Sequence, residues 1–203
     1  MRRIAVIGAG GHAKVVISAL RASGDEVSVV FDDDPALQGY KVLGAAVCGP
    51  ITMINSQEFD AAVIAIGGNE TREKVTKLVK LPWATVISPA AWVDPSVKIG
   101  AGTVIFAGAI LQPDSIVGEH TIVNTGATID HDCVIGDFVH IAPGVNLAGN
   151  VVLEDGVFLG IGSTVIPGRR VGRWSTVGAG ALVLRNIESQ QVAYGIPARA
   201  KGG

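Results

Sequence analysis

Aliphatic residues recur at every sixth position over about half of the chain. From residue 87 to residue 183 each of these positions holds Val, Ile or Leu, without an insertion. The series consists of Ile87, Val93, Ile99, Ile105, Leu111, Val117, Val123, Ile129, Ile135, Ile141, Leu147, Leu153, Leu159, Val165, Val171, Val177 and Val183. An unbroken period of this kind predicts a repeat architecture, in which each unit covers the core of the next.

A second pattern lies four residues after each aliphatic position, where small residues such as Thr103, Ala109 and Cys133 prevail and Arg169 is the exception. Position four of one unit lies two residues before the next aliphatic, which is the inward period of a β-strand. Gly, Asp, Asn and Pro fill the positions between, as a chain that turns every six residues requires. The repeat therefore predicts short strands separated by tight turns.

This pattern resembles the hexapeptide repeat of the left-handed parallel β-helix acyltransferases, in which three hexads form one triangular coil. The resemblance implies a left-handed β-helix over residues 87–187, with five coils between residues 93 and 182 and a C-terminal tail at 188–203. Because one fold can serve many functions, the chemistry must be sought in residues that break the repeat.

Strands alternate with helices in the first 86 residues. Strands are predicted at 3–7, 27–31, 41–43 and 59–66, and helices at 12–23 and 70–79. This alternation predicts a small parallel sheet, a truncated Rossmann-like nucleotide-binding domain over residues 1–86.

A glycine-rich motif, Gly-Ala-Gly-Gly-His-Ala, occupies residues 8–13 between the first strand and helix, and Asp32 follows about 20 residues later. Glycines let a diphosphate approach the backbone, and a helix N-terminus offers it free N–H groups. The domain has room for about half of a dinucleotide fold, which favours a single nucleotide diphosphate. A tight turn without a ligand is the alternative.

Together, the motif at 8–13, the segments 31–33 and 65–72, and the repeat resemble the bacterial sugar O- and N-acetyltransferases. That group includes sialic acid O-acetyltransferases and the enzymes that acetylate 4-amino-4-deoxy sugars. The resemblance implies diphosphate contacts from Gly10, Gly11 and His12, nucleoside contacts from Asp32 and Asp33, and a base or sugar contact from Gly67.

Composition narrows the partners. Hydrophobic residues make up 48% and aromatic residues 5% of the chain, which suits a core of stacked aliphatics. The net charge of −2 gives no electrostatic basis for binding nucleic acid or an anionic membrane. Cys48 and Cys133 are interpreted as reduced packing residues. No apolar run of about 18 residues occurs, so we expect a cytoplasmic protein without membrane insertion.

Histidines are the candidates for proton transfer near neutral pH. His120 and His131 fall at corners of the repeat and His140 on a flat face, and the pattern buries none of them. His131 stands between Asp130 and Asp132, and a carboxylate on one ring nitrogen would make the other a better base. We expect His131 to be the general base, at a corner that faces the nucleotide-binding loop.

The resemblance adds further roles. It implies that Asp132 is the catalytic partner of His131, that His140 binds acetyl-coenzyme A or the substrate amine, and that Asn124 orients the amine. Acyl transfer also needs a donor for the oxyanion, and the Gly149 N–H is the candidate. Ile161 and Ala179, one coil apart in glycine-rich turns, would line a groove for the pantetheine arm, although ordinary turn residues are the alternative.

The predicted function is direct acetyl transfer from acetyl-coenzyme A, a co-substrate, to the 4-amino group of a UDP- or GDP-linked 4-amino-4,6-dideoxy sugar. No bound cofactor or metal is expected. A sugar or sialic acid O-acetyltransferase is the alternative within the group. A γ-carbonic anhydrase-like metalloprotein and a non-catalytic binding protein are the alternatives from other classes. The resemblance also implies a homotrimer with active sites between subunits.

Overall fold

The computed structural model describes residues 1–201, in which a small α/β sheet precedes a long parallel β-helix. The N-terminal elements are β1 (Ile4–Ile7), α1 (Gly11–Ala22), β2 (Val29–Phe31), β3 (Lys41–Val42), β4 (Ala45–Val47), β5 (Ala61–Ile64) and α2 (Asn69–Thr76). Two 3₁₀ helices, Pro35–Leu37 and Ile51–Ser56, lie in the connections. The strand order is β3-β4-β2-β1-β5, with only β3 and β4 antiparallel.

The predicted N-terminal elements are present, most of them with shorter bounds. The strand expected at 41–43 differs in another way. It is the first strand of a hairpin, and the second strand, β4, was not predicted. Leu43 and Gly44 form the turn with positive φ values of 46° and 84°. β4 has only three small apolar residues, and it is a strand because it pairs with β2.

Two-residue strands then follow one another every six residues and form three parallel sheets, which we call the first, second and third faces. The first face contains β7 (Trp92–Val93), β10 (Ile110–Leu111), β13 (Thr128–Ile129), β16 (Asn146–Leu147), β19 (Thr164–Val165) and β22 (Leu182–Val183). The second face contains β8 (Lys98–Ile99), β11 (Ile116–Val117), β14 (Val134–Ile135), β17 (Val152–Leu153) and β20 (Arg170–Val171). The third face contains β6 (Val86–Ile87), β9 (Val104–Ile105), β12 (Ile122–Val123), β15 (His140–Ile141), β18 (Phe158–Leu159), β21 (Thr176–Val177) and β23 (Val192–Tyr194), closed by the antiparallel β24 (Arg199–Ala200).

Register within each face follows the coil length: Ile129 pairs with Leu147, eighteen residues later. From Ile105 to Val183 every aliphatic residue of the six-residue series is buried. Ile87, at the open end of the prism, is 38% exposed because no coil covers it on one side. The predicted fold class is confirmed. We call the turns between the first and second faces the first corner, those between the second and third the second corner, and those between the third and first the third corner.

The N-terminal domain packs on the third face. Val6 and Val16 of the α/β sheet and α1 share a buried cluster with Val104, Phe106 and Ile122 of the β-helix. Burying aliphatic and aromatic surface in this way stabilises the docking of the two parts. As a result, the loops that follow β1 and β5 lie against the third face.

Candidate active site

His131 lies at the first corner, in the turn between β13 and β14. The next residue, Asp132, has a left-handed φ of 57°, which Asp tolerates better than most residues. Its Oδ2 lies 2.7 Å from His131 Nδ1. Asp130 instead accepts a hydrogen bond from the His131 backbone N–H at 2.8 Å. Of the two flanking carboxylates, Asp132 therefore orients the ring.

This histidine–carboxylate pair is open to solvent, with side-chain exposures of 54% for His131 and 53% for Asp132. The hydrogen bond from Asp132 raises the pKa of His131, and the charges of Asp130 and Asp132 act in the same direction. A proton held on Nδ1 by the carboxylate leaves the lone pair on Nε2. That arrangement suits a general base working near neutral pH.

Gly149 lies one coil after His131 and touches its ring. A Cβ at Gly149 would come within 2.6 Å of both Cε1 and Nε2 of His131, so the ring rests directly on the glycine backbone. The Asn150 N–H donates to the His131 carbonyl at 3.0 Å. Among residues 1–201 no acceptor engages the Gly149 N–H. A free backbone N–H beside His131 is a candidate donor for an oxyanion intermediate.

The glycine turn after β1 is fixed from within the chain. Gly8 has a φ of 99°, and a Cβ there would meet Ile66 at 2.6 Å, so this position requires glycine. A Cβ at Gly10 or Gly11 would meet nothing within 4 Å, so this part of the turn faces open space. Asp32 Oδ2 accepts a hydrogen bond from the Ala9 N–H at 2.7 Å, which ties β2 to the turn.

The two aspartates expected at the nucleoside differ in their contacts. Asp32 uses its other oxygen to accept from the Asp34 N–H at 2.9 Å, so both of its carboxylate oxygens are occupied by the backbone. Asp33 is exposed and uses Oδ1 to accept from the Ile51 N–H at 2.8 Å. Asp32 thus shapes the loop, whereas only one carboxylate oxygen of Asp33 is bonded to the backbone. Their contact with a nucleoside stays a prediction.

His12 turns its ring onto the third face of the β-helix. It packs edge-on against Phe106 with 5.4 Å between the ring centroids, and 6.2 Å from the ring of His140. Burial lowers the pKa of His12 to about 4, with a further contribution from the charge of Arg72. The predicted diphosphate contact of His12 stays a prediction, and the backbone N–H groups at the start of α1 are further donors that such a ligand could use.

His140 contacts two other residues that are expected at the substrate site. Its Nδ1 lies 3.1 Å from the Gly67 carbonyl, and its Nε2 lies 3.4 Å from Asn124 Nδ2. Burial is the main cause that lowers the pKa of His140 to about 4. A groove of about 370 Å³ opens beside Gly67, between the N-terminus of α2 and the rings of Phe158 and Trp174.

The remaining expected residues lie on the third corner. Asn124, Ile161 and Ala179 lie in the turns after β12, β18 and β21, all between the third and first faces, and Ile161 is 63% exposed. A Cβ at Gly160 would meet the Ala179 nitrogen at 2.5 Å, so neighbouring coils are in close backbone contact here. The turns present an exposed apolar edge.

The expected site is therefore divided within one chain. His131, Asp132 and Gly149 lie at the first corner, whereas the glycine loop, Gly67 and His140 lie on or against the third face. The expectation that the His131 corner faces the nucleotide loop is wrong for a single chain. The hexad period places a residue on a face, but it does not say which face the N-terminal domain covers.

His120 also departs from the expected exposure. It is 2% exposed, because Trp83 of the N-terminal domain packs edge-on against it and Phe138 stacks on it with ring centroids 5.5 Å apart. His120, His131 and His140 lie on the second corner, first corner and third face, so within one chain they do not converge on one ion. Within residues 1–201 no group of three or more His, Cys, Asp or Glu side chains could hold a metal ion.

Arg72 is a buried charged residue for which no role was predicted from the sequence. It is 1% exposed and bonds to backbone carbonyls of both parts of the chain. The available signal was its position in α2, three residues before Val75, which places both side chains on the buried side of the helix.

Relatives of known structure match nearly the whole chain. Over 98% of its length it is 40% identical to PerB from Caulobacter crescentus, solved in complex with CoA and GDP-perosamine, and covers 97% of that chain with a TM-score of 0.91. The chain belongs to the hexapeptide-repeat sugar acetyltransferases. Residues 3–79 of this acetyltransferase match the family of the PglD N-terminal domain.

A second solved acetyltransferase is similar to the same extent. The acetyltransferase domain of PglB from Neisseria gonorrhoeae, in complex with acetyl coenzyme A, is 36% identical over 98% of this chain and 99% of its own, with a TM-score of 0.91. Among curated proteins, L142 of Acanthamoeba polyphaga mimivirus is 36% identical over 96 residues, 47% of this chain and 19% of its own length. The stretch matched in the curated relatives spans about a fifth of their own length. None of the helices within residues 1–201 is long and apolar enough to cross a membrane.

Proposed function

We propose that this acetyltransferase moves the acetyl group of acetyl-coenzyme A to the 4-amino group of a UDP- or GDP-linked 4-amino-4,6-dideoxy sugar. The observation that carries the proposal is the similarity, over 98% of the chain, to a protein solved with CoA and GDP-perosamine. The first corner adds a carboxylate-oriented histidine, and the N-terminal domain adds, beside the third face, a glycine turn open to an anionic ligand. We place the reaction in the cytoplasm, where nucleotide-linked sugars and acetyl-coenzyme A are both available.

In the proposed mechanism the sugar amine attacks the thioester carbonyl while His131 Nε2 accepts a proton from the amine. A C–N bond forms, and the oxyanion of the tetrahedral intermediate accepts a hydrogen bond from the Gly149 N–H. The C–S bond then breaks, and the imidazolium returns the proton to the departing thiolate. Asp132 stabilises the imidazolium between these steps. The chemistry needs no covalent enzyme intermediate and no metal.

The divided site supports a homotrimer. Because the first corner lies opposite the third face, a sugar held by the glycine turn of one chain would meet His131 from another chain. Trp92 and Ile110 on the first face and Ile116 and Val134 on the second are between 37% and 50% exposed. Such apolar positions on both sides of the first corner suit burial against a second subunit.

O-acetylation is the second candidate, because a galactoside O-acetyltransferase from Lactococcus lactis is 47% identical over 45 residues. That match spans 22% of this chain, whereas the PerB match spans nearly all of it. The nucleotide-binding turn also favours a nucleotide-linked substrate over a free sugar or sialic acid.

The test is to incubate the protein with acetyl-coenzyme A and a panel of nucleotide-linked 4-amino sugars, and to follow thiol release. We expect release with at least one UDP- or GDP-linked 4-amino sugar and none with the 4-hydroxy analogue. Equal activity on the hydroxy analogue would favour O-transfer, and silence across the panel would refute the proposal.

A further inference from the structure

Arg72 uses every donor of its guanidinium. A guanidinium has five N–H groups, and Arg72 makes five hydrogen bonds of 2.8 to 3.3 Å, all to backbone carbonyls. The acceptors are the carbonyls of Ile66, Gly67, His120, Phe138 and Val139. Because no donor remains, Arg72 does not bind a substrate directly, and any role in the reaction must act through these carbonyls.

The five carbonyls belong to two separate parts of the chain. Ile66 and Gly67 form the loop after β5, whereas His120, Phe138 and Val139 lie at the second corner and the start of the third face. Within residues 1–201 no carboxylate forms an ion pair with Arg72, and burial lowers its pKa to about 9. Burying a cation without an anion costs free energy. If Arg72 only held the N-terminal domain against the β-helix, a well-packed apolar residue would stabilise that contact better.

One of these carbonyls also controls a histidine. The Gly67 oxygen accepts from Arg72 Nη1 at 2.9 Å and lies 3.1 Å from His140 Nδ1. Since a carbonyl only accepts, His140 must carry its proton on Nδ1, which leaves the lone pair on Nε2. Asn124 Nδ2, 3.4 Å from that nitrogen, is placed to donate to it.

We propose that Arg72 is a positioning residue of the acetyl-transfer site: it fixes the Gly67 carbonyl against the third face, and this carbonyl sets the tautomer and orientation of His140. The inference rests on the proposed function for its kinetic consequence, but not for its structural one. The guanidinium of Arg72 thus orders both the turn at Gly67 and the ring of His140. In doing so it joins the N-terminal domain to the β-helix at the substrate site.

The test is Arg72→Lys, which keeps the charge but supplies three donors for five carbonyls. Lys74→Ala is the matched control, because it removes a cation from the exposed side of α2. Nitrogen NMR of the histidine rings reports the tautomer directly. We expect wild-type His140 to be protonated on Nδ1 and Arg72→Lys to show mixed tautomers. We also expect kcat/KM for the nucleotide-linked amino sugar to fall about tenfold, which corresponds to the loss of about one hydrogen bond. The acid limb of the pH profile of kcat/KM should not move, because His131 sets it.

The outcomes separate the two proposals. Wild-type tautomer and wild-type kcat/KM in a folded Arg72→Lys protein would overturn the inference alone. A wild-type protein that acetylates nothing on the panel, but whose His140 tautomer changes in Arg72→Lys, would refute the proposed function and keep the inference. If Arg72→Lys does not fold, the wild-type ring decides: protonation on Nε2 overturns the inference, and protonation on Nδ1 supports it.

Discussion

Three of the four histidines of this acetyltransferase occupy two contrasting environments. At the first corner His131 is half exposed, bonded to a carboxylate, and has a raised pKa. Against the third face His12 and His140 are largely buried, lie near the cation Arg72, and have pKa values lowered to about 4. One environment favours gaining a proton near neutral pH, and the other keeps the ring neutral. The contrast supports the proposal that the first corner transfers the proton and that the third face orients the substrate.

Removing the first-corner ring should have the largest effect on the reaction. We expect His131→Ala to lower kcat by about 10²- to 10⁴-fold, the range that a general base contributes. The melting temperature should hardly change, because the ring is half exposed and its contacts are with the adjacent Asp132 and the backbone of Gly149. Thiol release and thermal unfolding measure the two quantities. Full activity in His131→Ala would remove the first corner from the mechanism.

Displacing the same ring without deleting it should have the next largest effect. In Gly149→Ala the new methyl group would lie 2.6 Å from the present position of the ring, so His131 must swing away from its bond with Asp132. We expect activity to fall about 10²-fold, as misplacement of a catalytic group by about 1 Å can cost. The added methyl group should leave unfolding nearly unchanged.

A double-mutant cycle checks whether Gly149 acts through the ring. In His131→Ala/Gly149→Ala the second substitution should add little, because no ring remains to be displaced. A further large loss would show that the added methyl group also disturbs the backbone that carries the Gly149 N–H, and not only the ring.

The first corner could be predicted from the sequence to a greater extent than the contact between the third face and the N-terminal domain. The six-residue series fixes which residues point inward, so the fold and the place of His131 follow from local periodicity. Burial of His120 and the contacts of Arg72 depend on where another domain docks, and no local period encodes that. β4 escaped prediction for a related reason, since three small residues become a strand only through pairing with β2.

A smaller effect is expected from weakening the carboxylate at the first corner. Asp132→Asn removes the main cause of the raised pKa of His131. Since the base must be unprotonated, the acid limb of kcat/KM should move to lower pH, and activity at neutral pH should fall about tenfold through loss of orientation and of imidazolium stabilisation. Asp130→Asn is the matched control, because Asp130 bonds to the backbone N–H of His131 and not to its ring. An acid limb that shifts equally in both variants would contradict the assigned roles.

The buried histidines at the third face should make the free energy of unfolding depend on pH. Of the effects predicted here, theirs on activity near neutral pH should be the smallest. The pKa values of His12, His140 and the buried His120 at the second corner are near 4 in the folded chain and 6.5 ordinarily, so the unfolded chain binds more protons between these values. Stability should therefore be greatest above about pH 6.5 and fall as the pH drops towards 4, by about 1 to 2 kcal/mol per ring at pH 5 after allowing for residual solvent. Denaturant unfolding at pH 7.5 and 5 measures the difference.

His12→Gln should make the free energy of unfolding less dependent on pH, whereas His131→Gln should not, since the His131 ring is exposed and bonded to a carboxylate. The same slope in both variants would place the titrating group elsewhere and remove the contrast between the two environments.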